Sequence, residues 1–101
     1  MLPIEIAYFA HADLAEAICY LNAEQAGLGA ALHAEFHSAL EGIQLAPLSH
    51  RRLLRNARRT LLPQFKYHVY YQVLPHTIRI VAVVHAHRNP RFWKKLLRQR
   101  S

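Results

Sequence analysis

A histidine at the end of an apolar run is the residue of this chain best suited to acid–base chemistry. His85 closes the apolar segment 77–85 and precedes Arg88 by three residues. A histidine titrates near neutral pH, so it can take or give a proton under working conditions. The alternative is a structural role, in which the His85 side chain only hydrogen-bonds to the backbone at the end of the strand. The sequence leaves both interpretations open.

The cations of the chain lie in its second half. All six acidic residues precede position 42 and all 13 Lys and Arg follow position 50, which leaves a net charge of +7. This asymmetry predicts a negatively charged partner, either nucleic acid or an acidic protein surface. Four arginines precede the second strand without any phosphate-loop motif, which indicates attraction without sequence specificity: Arg51, Arg52, Arg55 and Arg58.

The tail from Pro90 combines aromatic and basic residues. Trp93 lies among Arg91, Lys94 and Lys95. Tryptophan is frequent in the energetic centre of protein interfaces, so the tail, like the four arginines, is a candidate region for binding a target or partner. The alternative use of Trp93 is to close one end of the core.

Three tyrosines in segment 67–71 can either stack on nucleic-acid bases or pack within the sheet. Packing is the favoured interpretation for Tyr67 and Tyr71. Tyr70 is expected on the opposite face of the strand from those two.

Metal binding is not expected. His33 and His37 are four residues apart in a helix and share a face, but a pair without a third ligand is more often a surface feature. His85 and His87 are expected to point to opposite faces of a strand, which argues against a joint site. The single cysteine, Cys19, is expected to be a small core residue. We therefore predict no metal and no cofactor.

These side chains must be positioned by two helices in the first half of the chain. Residues 3–9 predict a first strand. Asp13 with Glu16 has capping-box spacing and predicts the start of the first helix. Gly27-Leu28-Gly29 ends it, a second amphipathic helix follows at once, and Ala46-Pro47-Leu48 ends that.

Three strands follow, over residues 59–62, 67–74 and 77–85, with Pro75-His76 as a tight turn. The last strand is nearly all apolar, as expected for a central strand that is buried on both faces. The tail predicts a short basic amphipathic helix. The fold class is α+β, in the order β-α-α-β-β-β, with a helical hairpin packed on one face of a mainly antiparallel sheet.

One domain fills the 101 residues. No apolar run is long enough to span a membrane, and the first residues lack the pattern of a signal peptide. We therefore expect a cytoplasmic protein with no membrane partner.

The segments and their order resemble the RelE/ParE superfamily of bacterial type II toxins. The resemblance covers most of the chain and rests on these pieces: Ala12-Asp13-Leu14 with Ala17-Ile18-Cys19-Tyr20; the Gly27-Leu28-Gly29 break with Phe36, Ile43 and Pro47; Arg58-Arg59-x-Leu61-Leu62; Phe65-x-Tyr67-x-Val69-Tyr70-Tyr71-x-Val73; and Ile80-x-Ala82-Val83-x-His85-x-x-Arg88-x-Pro90.

The resemblance implies a plasmid-stabilisation type of toxin that inhibits growth and is neutralised in a hetero-oligomer with a cognate antitoxin. RelE-like members cut messenger RNA on the ribosome, and ParE-like members poison DNA gyrase. RelE-like cleavage uses basic residues on the middle strands, an arginine after the last strand and a tyrosine six residues later. Arg59 and Arg88 match two of these positions, but Leu61, His68 and Lys94 do not.

Because the residues that RelE-like members use for cleavage are only partly present, the chain is more similar to ParE. The leading hypothesis is therefore a toxin that binds gyrase. The alternative is a metal-independent endoribonuclease that uses Arg59, His85 and Arg88. The antitoxin is expected to be acidic where it meets residues 51–59 and 88–100.

Overall fold

The computed structural model describes residues 1–100, which form one four-stranded sheet with helices on both faces. Strand order is β1-β4-β3-β2, with β1 parallel to β4 and the other pairs antiparallel. The elements are β1 (Ile4–Ile6), α1 (Tyr8–Glu24), α2 (Leu28–Leu45), a 3₁₀ turn (Leu54–Asn56), β2 (Ala57–Leu62), β3 (Tyr67–Val73), β4 (Ile78–His85) and α3 (Pro90–Arg100).

The first face of the sheet is covered by the α1–α2 hairpin. Leu32, Phe36 and Ile43 of α2 are fully buried against residues such as Tyr71 and Ile80. The hairpin turns at Gly27, whose φ of 93° is the left-handed conformation that glycine adopts at little cost. The predicted α+β class, helical hairpin and mainly antiparallel sheet are confirmed.

The second face is covered by α3, the helix of the tail, whose position was not part of the predicted order of elements. Leu97 is fully buried there, and the half-buried Phe92, Trp93 and Leu96 pack around it against Tyr70. The tail was predicted to be a basic amphipathic helix. Its apolar side is what buries the second face of β4, a strand that is apolar on both sides.

The start of α1 was predicted wrongly. Strand β1 ends at Ile6, and α1 begins at Tyr8 without a side-chain cap, so Asp13 lies inside the helix. Its carboxylate accepts the backbone N–H of Val83 at 3.0 Å and binds Arg100 at 2.6 Å. The aspartate therefore satisfies backbone of β4 instead of the helix terminus.

Cys19 is exposed and not a core residue. Successive residues of a helix are about 100° apart, so Cys19 lies about 200° around α1 from the buried Ala17. The prediction from its position beside apolar neighbours was wrong for this reason.

Candidate functional site

A cluster of aromatic and basic side chains joins the first turn of α3 to β2 and β3. We call it the Arg59–Trp93 cluster; it consists of Arg59, His68, Tyr70, Trp93 and Lys94. Trp93 stacks on Tyr70 with ring centroids 5.6 Å apart and an interplanar angle of 26°. The Arg59 guanidinium lies 5.3 Å from the Trp93 ring and donates to the Tyr70 hydroxyl at 3.2 Å. The Lys94 ammonium lies 5.6 Å from the Trp93 ring.

Sheet register explains why these residues meet. Arg59 of β2 is paired with Tyr70 of β3, and His68 shares the face of Tyr70 because residues two apart in a strand point the same way. The His68 and Tyr70 rings are 6.0 Å apart. Tyr67 and Tyr71 pack with the first-face core, so the predicted separation of Tyr70 from them is confirmed.

Burial shifts the pKa values of two side chains of this cluster, His68 and Tyr70. Burial, and then the nearby Arg59 charge, lower the pKa of His68, so the imidazole is neutral at pH 7. Burial raises the pKa of Tyr70, and the hydrogen bond and charge of Arg59 oppose that rise only in part. The cluster thus presents cations and aromatic faces, with Arg59 engaged by Tyr70 and Trp93.

A second feature is a cleft of about 580 Å³ between α1 and α3, which we call the α1–α3 cleft. Two acids and a tyrosine of α1 face basic and aromatic residues of the other elements across it. Its polar and aromatic lining comprises Asp13, Glu16, Tyr20, Tyr67, His85, Arg88, Phe92 and Arg100. The Arg88 guanidinium stacks 3.6 Å above the Phe92 ring, which holds the arginine against α3.

His85 is held at the end of β4 by backbone and aromatic contacts. Its ring packs edge-on to Tyr67 at 5.1 Å, and its Nδ1 accepts the backbone N–H of His87 at 3.2 Å. Burial and the adjacent His87 lower the pKa of His85, so the imidazole is neutral at pH 7. With Nδ1 accepting, the proton of the neutral ring sits on Nε2. In this arrangement His85 offers the cleft a donor and not the lone pair that a general base needs.

His85 and His87 are neighbours, contrary to the expectation that they point to opposite faces. Their ring centroids are 5.0 Å apart. Residues i and i+2 of a strand share a face, and β4 ends at His85 so that the chain turns back over it.

The three residues proposed for RNA cleavage do not line one site. His85 and Arg88 share the α1–α3 cleft, whereas Arg59 contacts Tyr70 and Trp93 on the second face of the sheet. Sequence reasoning did not identify the acidic wall of the cleft. The i, i+3 spacing of Asp13 and Glu16 indicates that both acids lie on one face of a helix. The same spacing is also typical of a capping box, so the sequence alone did not distinguish the two.

The two basic segments meet on the second face. Leu53 and Leu54 pack in the same small core as Trp93 and Leu96, which brings the 3₁₀ turn against α3. The cations exposed on loop 51–55 and on α3 are Arg51, Arg52, Arg55, Arg91, Lys94, Lys95 and Arg98.

Arg58 has a different position, since it is half-buried and its Nη1 donates to the carbonyl oxygens of His50 and Leu48. Burial raises the pKa of the neighbouring Tyr71, whose hydroxyl donates to the Pro47 carbonyl at 2.9 Å. Arg58 thus helps to fix the loop that carries the exposed arginines.

Residues 1–100 contain no group of three or more His, Cys, Asp or Glu side chains arranged to hold a metal ion. No helix in that range is both long and apolar enough to cross a membrane.

Comparison with known proteins gives a match at the level of structure. No family model and no curated protein sequence matches the chain. A solved structure described as "Chromosomal ParDE TA system from P. aeruginosa" superposes with a TM-score of 0.78 at 13% sequence identity, over 86% of this chain and 98% of that chain. An identity this low supports likeness of fold alone. The chain therefore shares the fold of that structure, as the resemblance of its sequence segments predicts.

Proposed function

We propose that the protein is the toxin of a bacterial type II toxin–antitoxin system, that it is neutralised by a cognate antitoxin, and that it acts by binding DNA gyrase. The fold is shared with a structure described as a ParDE TA system. The basic loop 51–55 and helix α3 form the surface through which the protein binds its target or its antitoxin.

The observation that carries this proposal is the convergence of two basic segments around a stacked tryptophan. Trp93 is half-buried and stacked on Tyr70, Lys94 lies beside its ring, and further exposed cations lie on both of the segments that share its small core. Partly buried aromatic residues ringed by charge are typical of protein interfaces. The charge favours fast encounter with an acidic partner.

Cleavage of RNA is the second candidate function, and one observation favours it. His85 and Arg88 share a cleft, and a neutral histidine beside an arginine is a common element of phosphodiester chemistry. Two observations weigh against it: Arg59 is engaged by Tyr70 and Trp93, and the Nδ1 lone pair of His85 is occupied.

Induced expression in a bacterial host without the antitoxin tests the proposal. We expect growth arrest accompanied by a DNA-damage response, with bulk messenger RNA intact. Growth arrest with rapid loss of message and no DNA-damage response would instead support the nuclease. In that case Arg88→Ala should abolish the loss of message while the protein still folds. Unimpaired growth would contradict both functions.

A further inference from the structure

Two histidines on the outer face of α2 form a geometric pair that the proposed function does not use. The Nε2 atoms of His33 and His37 are 3.2 Å apart, their ring centroids are 4.4 Å apart, and both side chains are exposed. Helix α2 covers the first face of the sheet, whereas the Arg59–Trp93 cluster lies on the second.

The helix that carries the pair is anchored on its opposite side. Both residues lie within the 18-residue helix α2, whose opposite side is anchored by the buried Leu32, Phe36 and Leu40. The Phe36 ring also packs edge-on to the His37 ring at 5.6 Å. The i, i+4 spacing therefore brings the two imidazoles together without any change of the backbone.

The distance between the two nitrogens suits a shared metal ion. Imidazole nitrogens bind Zn²⁺ at about 2.05 Å, and two such bonds that span 3.2 Å enclose an angle of about 103°. This is close to the tetrahedral angle of about 109° that Zn²⁺ prefers. In the metal-free pair one Nε2–H donates to the other Nε2. When both neutral rings carry their proton on Nδ1, both Nε2 lone pairs are free to bind the ion.

We propose that His33 and His37 form a surface site for a borderline divalent transition metal, with Zn²⁺ as the expected ion. Water fills the remaining coordination positions, since residues 1–100 supply no third His, Cys, Asp or Glu ligand to the pair. Imidazole is a good ligand for Zn²⁺, Cu²⁺ and Ni²⁺ and a poor one for Mg²⁺ or Ca²⁺, so the site should discriminate strongly between these two groups of ions.

Calorimetric titration of the untagged protein with ZnCl₂ tests the site, with MgCl₂ as the reference ion. The wild type should bind one Zn²⁺ and no Mg²⁺. His33→Ala should weaken Zn²⁺ binding by at least about tenfold, because one of two ligands is lost.

A shift variant, His37→Ala with Ser38→His, keeps all eight histidines but breaks the i, i+4 spacing. It should weaken Zn²⁺ binding as much as His33→Ala does. Residue 38 is exposed, so the helix should tolerate the change, and circular dichroism checks that it does. His87→Ala, which disrupts the other close pair of histidines, should bind Zn²⁺ like the wild type.

The proposal is overturned if the shift variant retains wild-type affinity, if His87→Ala abolishes binding, or if the wild type binds no Zn²⁺. None of these outcomes depends on toxicity, so the metal site and the proposed function fail or succeed separately.

Discussion

The Asp13–Arg100 pair is expected to be a main determinant of stability, and Asp13→Ala tests it. The two side chains are only 20% and 15% exposed. Arg100 donates to both carboxylate oxygens, at 2.6 and 3.2 Å, and its Nη1 also donates to the Val81 carbonyl at 3.1 Å. The carboxylate accepts the Val83 N–H at 3.0 Å.

The position of this pair explains its expected importance. Strand β1 is paired with β4 only from Ile78 to Ile80. Beyond Ile80, Asp13 and Arg100 satisfy backbone groups of β4 at Val83 and Val81. They also connect α1 to β4 and α3, which lie far from it in the sequence.

Removal of the carboxylate has two costs. An unpaired backbone N–H at a mostly buried site costs about 1–3 kcal/mol. Arg100 is also left without its counter-ion, a cost that is reduced because a sixth of the side chain still meets water. Together we expect a loss of about 2–4 kcal/mol in the free energy of unfolding, which corresponds to a fall in Tm of roughly 10–30 °C for a domain of this size.

Urea unfolding followed by circular dichroism measures this loss, and Glu5→Ala is the matched control. Glu5 also pairs with an arginine, Arg79, at 2.9 Å, but these side chains are 55% and 40% exposed. An exposed pair contributes about 0–1 kcal/mol. If Asp13→Ala costs no more than Glu5→Ala, the role assigned to the buried pair is wrong.

Three further predictions concern packing and protonation. Gly29→Ala should destabilise the protein by about 1–3 kcal/mol in the same urea assay, because a Cβ there would lie 2.7 Å from side-chain atoms of α1. Gly42→Ala should instead stabilise it by about 0.5–1 kcal/mol, because a Cβ at that position meets nothing within 4 Å. Trp93→Ala should lower the free energy of unfolding by about 1–3 kcal/mol through loss of the stack on the second face, and an unchanged urea midpoint would contradict that packing. The imidazoles of His68 and His85 should titrate by NMR below the ordinary pKa of 6.5, the first through burial and Arg59 and the second through burial and His87. Because the unfolded chain then binds protons more readily than the folded one, stability should be flat above about pH 6.5 and should fall as the pH drops from there towards the lowered pKa values.

Most of the fold could be predicted from the sequence because its local signals agree. The glycine break predicted the helical hairpin, and the apolar run of β4 predicted a central strand. The alternation of Tyr67, Tyr70 and Tyr71 predicted which face each occupies, and the structure confirms it.

The wrong prediction for Asp13 has a physical cause, which is tertiary competition for its side chain. Asp13 and Glu16 have the spacing of a helix cap, but the start of α1 is fixed by the end of β1, and Asp13 instead binds backbone of β4. A local sequence pattern cannot reveal that the backbone N–H of Val83, 70 residues away, needs a hydrogen-bond acceptor. For the same reason, the separation of Arg59 from His85 and Arg88 followed only from sheet register and the docking of α3.

The central claim is that the protein acts on gyrase by binding, and a supercoiling assay with purified gyrase, ATP and relaxed plasmid tests it most directly. Increasing amounts of the protein should inhibit supercoiling and trap cleaved DNA, and an added cognate antitoxin should reverse both effects. Unchanged supercoiling with no trapped cleavage complex, in a preparation that degrades messenger RNA in a translation reaction, would contradict it.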